Sequence, residues 1–290
     1  MKQMAKTKIL IIGASGFLGS KFYEKFSQNY KVVGTYLKNK QDNLYFCDIT
    51  KKDLDIFKET KPDIVIHVVG VTKLDTCETN KDLAYKINVE GTENIIKGCK
   101  LNNSKIIYLS TDFVFDGKKG NYKEEDETNP LSYYAKTKIK SEELVKNSGL
   151  DYIIARVAVL YGTKQNNKFV SWCMDQLRNQ EYVTPVADHI RTPTLVDDVA
   201  EALNTLILKN KNGTYHIAGS EKLSAFSMGV RIAEVFNFNK KYLKPITSHR
   251  FQQIAPRPKD SSLNIGKLQK EGIMMSSFVE GLNKIKEQMK

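Results

Sequence analysis

The chain is poor in the features that would tie it to a membrane, to zinc or to an oxidising compartment. No apolar run in its 290 residues approaches the ~20 that a bilayer span needs. The amino end, MKQMAKTKILII, has four strong apolar residues in a row before glycine. That is too short for the core of a signal peptide, and the stretch reads as a lysine-bearing leader and a first strand. Cysteine occurs only at 47, 77, 99 and 173, with no C-x-x-C, and the four histidines are equally scattered. No zinc pattern results, no metal site is expected, and reduced thiols in a cytoplasmic protein are the expected state. Arginine is confined to 156, 178, 191, 231, 250 and 257, so the net charge of +12 comes from lysine. The lysines are spread along the chain rather than interleaved with aromatics. They read as a solvated surface, with neither nucleic acid nor membrane as partner. Such a surface also attracts a diphosphate-bearing substrate. The 41% hydrophobic content is ordinary for a globular protein, and the length suits one large domain or two small ones.

What is present begins with a glycine-rich turn. Lys8 to Ile12 reads as a short buried strand, and GASGFLGSKF follows at once. Gly13, Gly16 and Gly19 form G-x-x-G-x-x-G at a strand-to-helix junction. The spacing differs from G-x-G-x-x-G but meets the same need. Glycines let the backbone approach a pyrophosphate, and the helix amino terminus offers free N–H groups. KVVGTYLKNK then reads as a second strand. A chain that prefers NAD usually carries Asp or Glu about 20 residues beyond the glycines. Here Gly34, Thr35 and Tyr36 occupy that place, with Lys38 and Lys40 just beyond. With no carboxylate to repel a 2′-phosphate and lysines to meet one, NADP(H) is expected ahead of NAD(H).

LYFCDIT reads as a third strand ending in Asp48-Ile49, where an acid can face an adenine. KPDIVIHVVG is a fourth, placing His67 to Gly70 under the cofactor. His67 reads as a strand histidine satisfied by backbone rather than as a catalytic group. Lys81 to Lys100 carries apolar residues at helical spacing, with Gly91 in the middle.

The stretch from Lys105 to Lys138 organises the rest. Ile106 to Leu109 is an apolar strand delivering Ser110, Thr111 and Asp112 at its end. After Pro130 a helix places Tyr134 and Lys138 at i and i+4, on one face. A hydroxyl, a phenol and an ammonium thus converge at the carboxyl end of a sheet, where open α/β folds bind ligands. A tyrosine titrates near pH ~10, and a neighbouring ammonium is expected to lower that value. Thr111 would hold a carbonyl oxygen while Tyr134 gives or takes its proton.

DYIIARVAVLYG reads as a sixth strand. The alternation of strands and helices implies an α/β fold with a doubly wound parallel sheet of the Rossmann kind. From Gly162 the pattern loosens. KFVSWCMDQLRN reads as a helix, another begins near Val196, GTYHIAG is a strand, and Ser224 to Phe236 is a helix. The expected organisation is a cofactor-binding domain over 1–160 and a smaller substrate-binding domain over 161–290, interleaved with the first.

Taken in order, these motifs resemble an extended short-chain dehydrogenase/reductase, and more narrowly the dTDP-4-dehydrorhamnose reductase family. GASGFLG is similar to its cofactor loop and PDIVIHVVGVTKLDTCE to its fourth-strand motif. STDFVFDG is the most telling piece, and YYAKTKIKSEE resembles the catalytic helix, with Tyr134 rather than Tyr133 in register with Lys138. ADHIRTPTLVDDVA and RPKDSSLN resemble substrate-domain signatures. The resemblance implies hydride transfer from NADPH to C4 of a nucleotide-linked 4-keto-6-deoxy sugar, as in dTDP-rhamnose biosynthesis. Tyr134 would protonate the alkoxide, and Lys138 would hold the nicotinamide ribose and acidify the phenol. The implied cofactor contacts are Gly13, Ser15, Gly16, Phe17, Leu18, Gly19, Tyr36, Lys38, Asp48, Ile49, Val69 and Gly70, with Tyr134 and Lys138. The implied substrate contacts are Thr72, Thr111, Asp112, Val159 and Arg257, and a homodimer is compatible with the family.

The chain departs from the family at several points. Val68 and Val69 replace small residues, Val159 stands where an aromatic is frequent, and Arg191 stands where a glycine is common. Two other functions fit the same motifs. One is a nucleotide-sugar 4-epimerase, which uses the same tyrosine and lysine but retains its cofactor. The other is a non-catalytic NADP-binding regulatory subunit, resembling the beta subunit of methionine adenosyltransferase. A dehydratase is disfavoured, since Asp112 is followed by Phe113 rather than by a second carboxylate.

Overall fold

The fold follows from short strands that are apolar on both faces. In a computed structural model describing residues 6–163, 169–250 and 253–290, Ile9 and Ile11 of the first strand point to one core and Leu10 and Ile12 to another. That two-sided burial marks a strand inside a parallel sheet covered on both faces. The first five residues of the leader, and Lys168 at the start of the expected KFVSWCMDQLRN helix, lie outside the described residues.

In chain order the elements run β1 (Lys8–Ile12), α1 (Phe17–Phe26), β2 (Lys31–Tyr36), β3 (Leu44–Phe46), α2 (Ile56–Thr60), β4 (Ile64–His67), α3 (Leu74–Thr79), α4 (Lys81–Tyr85), α5 (Gly91–Asn102) and β5 (Lys105–Thr111). They continue through α6 (Tyr133–Lys146), β6 (Tyr152–Val157), β7 (Leu160–Tyr161), α7 (Phe169–Arg178), β8 (Ile190–Arg191), β9 (Thr194–Leu195), α8 (Val196–Leu208), β10 (Gly213–His216), β11 (Leu223–Ser224), α9 (Ala225–Phe236), α10 (Gly266–Lys270) and α11 (Phe278–Gln288).

Seven strands form one sheet in the order β10-β6-β5-β4-β1-β2-β3, and every pairing in it is parallel. The strand order reverses between β1 and β4, which opens a crevice at their carboxyl ends. This is the doubly wound sheet expected from the sequence. Helices α1 and α8 cover one face through Phe22, Phe26, Leu203 and Leu206. On the other face lie α2, α5 and α6, through Phe57, Ile95 and Val145. A separate core joins α7, α9 and α11 through Met174, Leu177, Ile232 and Leu282. The chain returns from this core to the large sheet, where α8 packs on its face and β10 joins its edge.

Two expected elements are divided. The helix over Lys81 to Lys100 is α4 and α5 joined by a π turn, Lys86–Glu90. Where α5 begins, packing against the strand-end loop is tight: a Cβ on Gly91 would lie 2.6 Å from Ile49 Cδ1. The strand expected to run to Gly162 stops at Val157, because Val159 sits at φ +37°. That left-handed backbone is costly for a β-branched residue and ends any pairing. Leu160 and Tyr161 pair instead with β9, in a separate two-stranded sheet.

Candidate active site

At the crevice, Gly13 adopts φ +97° and its carbonyl accepts the Gly16 N–H at 3.0 Å. Its own N–H donates to Thr35 Oγ1 at 3.0 Å, tying the turn to β2. Side chains are excluded where the backbone must close. A Cβ on Gly19 would lie 2.1 Å from the Gly13 carbonyl oxygen, and one on Gly13 would lie 2.6 Å from Val69 Cγ2. Helix α1 then starts with Gly16 as its cap, no capping side chain and no acid in its first turn. Its first N–H groups and positive dipole end are left for an anion.

The resulting groove is lined by Gly13, Ser15, Gly16, Phe17, Leu18 and Gly19, by Leu37, Lys38 and Asn39 after β2, and by Val68, Val69 and Gly70 after β4. It thus gathers most of the cofactor contacts expected from the sequence. Tyr36 closes β2 just outside it, with its ring edge-on to Phe46 at 6.0 Å. Asp48 binds Thr50 through N–H at 3.0 Å and Oγ1 at 2.8 Å. Ile49 is buried against α5, and its carbonyl accepts Asn94 Nδ2 at 3.0 Å. These three, at the end of β2 and just after β3, lie outside the groove's wall.

Thr111, Tyr134 and Lys138 meet at the end of β5. Ser132 caps α6 by accepting the Ala135 N–H at 3.3 Å, and Glu78 of α3 accepts the Tyr133 N–H at 2.9 Å. The Thr111 side chain works against burial to lower the Tyr134 pKa, and its own hydroxyl accepts the Phe113 N–H at 3.2 Å. Lys138 Nζ donates to the Leu109 carbonyl at 2.6 Å and lies 4.1 Å above the Tyr108 ring. All three side chains are buried.

Burial reverses the expected direction of the phenol. Desolvation raises the Tyr134 pKa above 10; the nearby Thr111 side chain opposes this, and the charges of Asp112 and Cys77 add to it. The Lys138 ammonium bonds to a backbone carbonyl instead of acidifying the ring. Its own pKa is lowered to about 7 by burial, with Glu142 working the other way. At neutral pH Tyr134 is therefore a proton-bearing donor.

Of the expected substrate contacts, Asp112 is buried and bonded internally. Its Oδ1 accepts from Thr111 Oγ1 at 3.2 Å and its Oδ2 from Ser261 Oγ. Thr72 is exposed on the loop after β4. Val159 is half-buried, and its carbonyl accepts the Thr194 N–H at 3.1 Å. Arg257 reaches back to Asp75 of α3, Nη2 to Oδ1 at 3.5 Å, and Ala255 N–H reaches the same oxygen at 3.0 Å. His67 Nε2 lies 3.0 Å from Thr92 Oγ1, so its partner is a threonine side chain and not backbone. Among the described residues no group of three His, Cys, Asp or Glu could hold a metal, and no helix is long and apolar enough to cross a membrane.

Several residues escaped sequence reasoning. Asn88, in the π turn, holds Val71 N–H at 2.7 Å through Oδ1, and its Nδ2 donates to the Val71 carbonyl at 3.2 Å and to Thr137 Oγ1 at 2.9 Å. It joins the loop after β4 to α6. Glu142 and Arg156 form a buried pair behind Ser110. The one sequence signal was Glu142 itself, an acid one turn beyond Lys138.

Over residues 7–290 the chain matches the family described as the RmlD substrate binding domain. The chain belongs to that family. It is 31% identical to dTDP-4-dehydrorhamnose reductase of Aggregatibacter actinomycetemcomitans, over 96% of this chain and 98% of that protein. It is also 31% identical to methionine adenosyltransferase 2 subunit beta of Bos taurus, over 92% of this chain and 83% of that one. The crystal structure of dTDP-4-dehydrorhamnose reductase from Bacillus anthracis, in complex with NADP, superposes with a TM-score of 0.88 at 31% identity, covering 98% and 99% of the two chains. The family read from the motifs is borne out.

Proposed function

We propose that this protein is an NADPH-dependent reductase acting at C4 of a nucleotide-linked 4-keto-6-deoxy sugar, as in dTDP-rhamnose biosynthesis. The observation that carries this reading is the convergence of Thr111, Tyr134 and Lys138 at the carboxyl end of β5, the strand beside β4, whose following loop lines the glycine-turn groove. The groove fits a dinucleotide, since the closing glycines leave no room for a Cβ and the helix start carries no acid. Ser15 to Leu18 would take the pyrophosphate, Lys38 the 2′-phosphate, and Tyr36, Asp48 and Ile49 the adenine end. When bound, NADPH supplies the hydride.

The chain's own residues then govern the proton. Thr111 orients the keto oxygen, and Tyr134, protonated at neutral pH, gives its proton to that oxygen as negative charge develops. Lys138 anchors α6 to β5 through the Leu109 carbonyl and would hold the nicotinamide ribose of bound NADPH. Thr72, Val159 and Arg257 border the substrate side of the cleft, and the basic surface favours a diphosphate. A cytoplasmic location, a homodimer, no resident metal, and a cofactor-binding part over 1–160 followed by an interleaved substrate-binding part over 161–290 complete the reading.

Tyr134→Phe should lower NADPH oxidation with 4-keto sugars by at least about a thousandfold while NADPH affinity changes little. A variant retaining most of its turnover would remove Tyr134 as the acid. The 31% identity to methionine adenosyltransferase 2 subunit beta favours one second reading, a non-catalytic NADP-binding subunit. Absence of turnover on every nucleotide-linked 4-keto sugar, with stoichiometric co-purification of a larger enzyme, would select it.

A further inference from the structure

Arg191 has no role in the chemistry above, yet it is only 6% exposed and its guanidinium is engaged on every side. Nη1 donates to the Ile190 carbonyl at 2.7 Å and the Lys259 carbonyl at 3.3 Å, and Nη2 to the Pro258 carbonyl at 2.7 Å. Nε stands 3.6 Å from Asp112 Oδ2, and the guanidinium carbon lies 4.9 Å from the centre of the Phe113 ring. Asp112 in turn accepts from Thr111 Oγ1 at 3.2 Å. Polar contacts thus run from a buried guanidinium through Asp112 to Thr111, and both Asp112 and Thr111 act electrostatically on the Tyr134 phenol.

The line has an electrostatic consequence. A bare carboxylate at Asp112 opposes the negative charge that grows on the Tyr134 oxygen as its proton leaves. Resting on the reading of Tyr134 as that donor, we propose that Arg191 is a positioning residue for the reduction. It neutralises Asp112, fixes it against Thr111, and so eases proton release from Tyr134. Arg191 also ties the Pro258–Ser261 loop to the catalytic end of β5 through the same contacts.

Asp112 is faced by Arg191 from β8, by Ser261 from the loop before α10, and by Tyr134 from α6. Arg191 is faced in addition by Asp260, Arg257 and His189, the last held below the usual imidazole value by burial and then by the Arg191 charge, and Tyr134 is faced by Cys77. Burial pushes the Asp112 carboxyl up, and the Arg191 charge is the largest influence holding it down.

The test is kcat against pH for wild type, Arg191→Met, Asp112→Asn and the double variant, with saturating NADPH and a nucleotide-linked 4-keto sugar. Arg191→Met should lose at least about tenfold in kcat at pH 8.5, where Asp112 is ionised and uncompensated. The deficit should shrink toward pH 6, because burial raises the Asp112 carboxyl and protonation removes its charge, with KM for NADPH unchanged. In the double variant the pH-dependent part of the loss should vanish. Arg191→Lys keeps the charge and should restore most of the alkaline activity, which separates the electrostatic role from lost packing. A loss equal at both pH values, or one that Asp112→Asn does not relieve, would overturn the inference while leaving the reductase reading intact. A wild-type protein inactive on all such sugars would remove that reading, and this role with it.

Discussion

Replacing Glu142 by Gln should unfold the protein far more readily than a typical surface change. Glu142 and Arg156 have side chains only 1% and 2% exposed. Oε1 accepts Arg156 Nε at 3.0 Å and Ser110 Oγ at 2.6 Å, and Oε2 accepts Arg156 Nη2 at 2.7 Å. Without the carboxylate, Arg156 keeps only the Glu124 carbonyl at 3.5 Å, His216 Nε2 at 3.4 Å and the face of Phe115 at 5.2 Å. None of these carries a compensating charge. Breaking a buried pair from one side costs about 3–5 kcal/mol, a large share of the ~5–15 that holds a typical domain together.

Gln keeps one acceptor for Ser110, so about 3 kcal/mol is expected. Urea denaturation at pH 7 of wild type, Glu142→Gln, Arg156→Met and the double variant Glu142→Met with Arg156→Met measures it. The double variant should recover much of the loss, because no buried charge is then stranded. A single-variant cost under about 1 kcal/mol, or additive losses in the double variant, would refute the reasoning. The pH sign follows from the lowered Glu142 pKa, which burial opposes but Arg156 enforces. The contribution is present above the unfolded carboxyl pKa and is lost as pH falls through the folded one.

Other consequences are as direct. His67 and His216 are held to a pKa of about 3, chiefly by burial and then by the charges of Lys138 and Arg156 respectively. Below pH ~6.5 the unfolded chain takes up protons the native state refuses, so stability should fall by about 1.4 kcal/mol per pH unit for each histidine. An unfolding free energy that is flat between pH 6 and 4 would contradict this. Lys138, lowered to about 7, costs stability in full below that pH, and the cost fades as pH rises to the unfolded lysine value near ~10.4. Lys138→Met should abolish turnover yet raise the melting temperature at pH 6.5, and a lower one would sink the argument. Lys38→Glu should shift the NADPH-to-NADH ratio of kcat/KM toward NADH by at least about tenfold, and an unchanged ratio would remove Lys38 from the 2′-phosphate site.

What could be read in advance was what local spacing encodes. Three glycines after a buried strand fix a turn, and a tyrosine four residues before a lysine fixes one helix face. The partners of those residues lie far along the chain. Leu109 reaches Lys138 across 29 positions, Asn88 reaches Thr137 across 49, and Ser261 reaches Asp112 across 149. No periodicity announces such pairs. The second core was obscure for the same reason, since α7, α9 and α11 are short helices from distant stretches that complete one another only when packed. The break at Val159 escaped because the sequence there is apolar and β-branched, which favours a strand, while the backbone turns left-handed to deliver Leu160 and Tyr161 to β9.

The tyrosine and lysine illustrate how burial overrides spacing. Four residues apart on an exposed helix, an ammonium would stabilise a phenolate. Here both groups sit in a low-dielectric interior that penalises either charge, so the phenol holds its proton more tightly and the amine less. A reduction ends with a proton on a sugar oxygen, and a phenol that stays neutral until an alkoxide forms is the correct starting state. What such a site needs is relief of charge only at that moment. The fold offers it through Thr111, whose hydroxyl donates to the Asp112 carboxylate at 3.2 Å and whose side chain works against burial on the phenol. Whether that carboxylate is compensated decides how easily the proton leaves, which makes the residue facing Asp112 as consequential as the tyrosine–lysine pair itself.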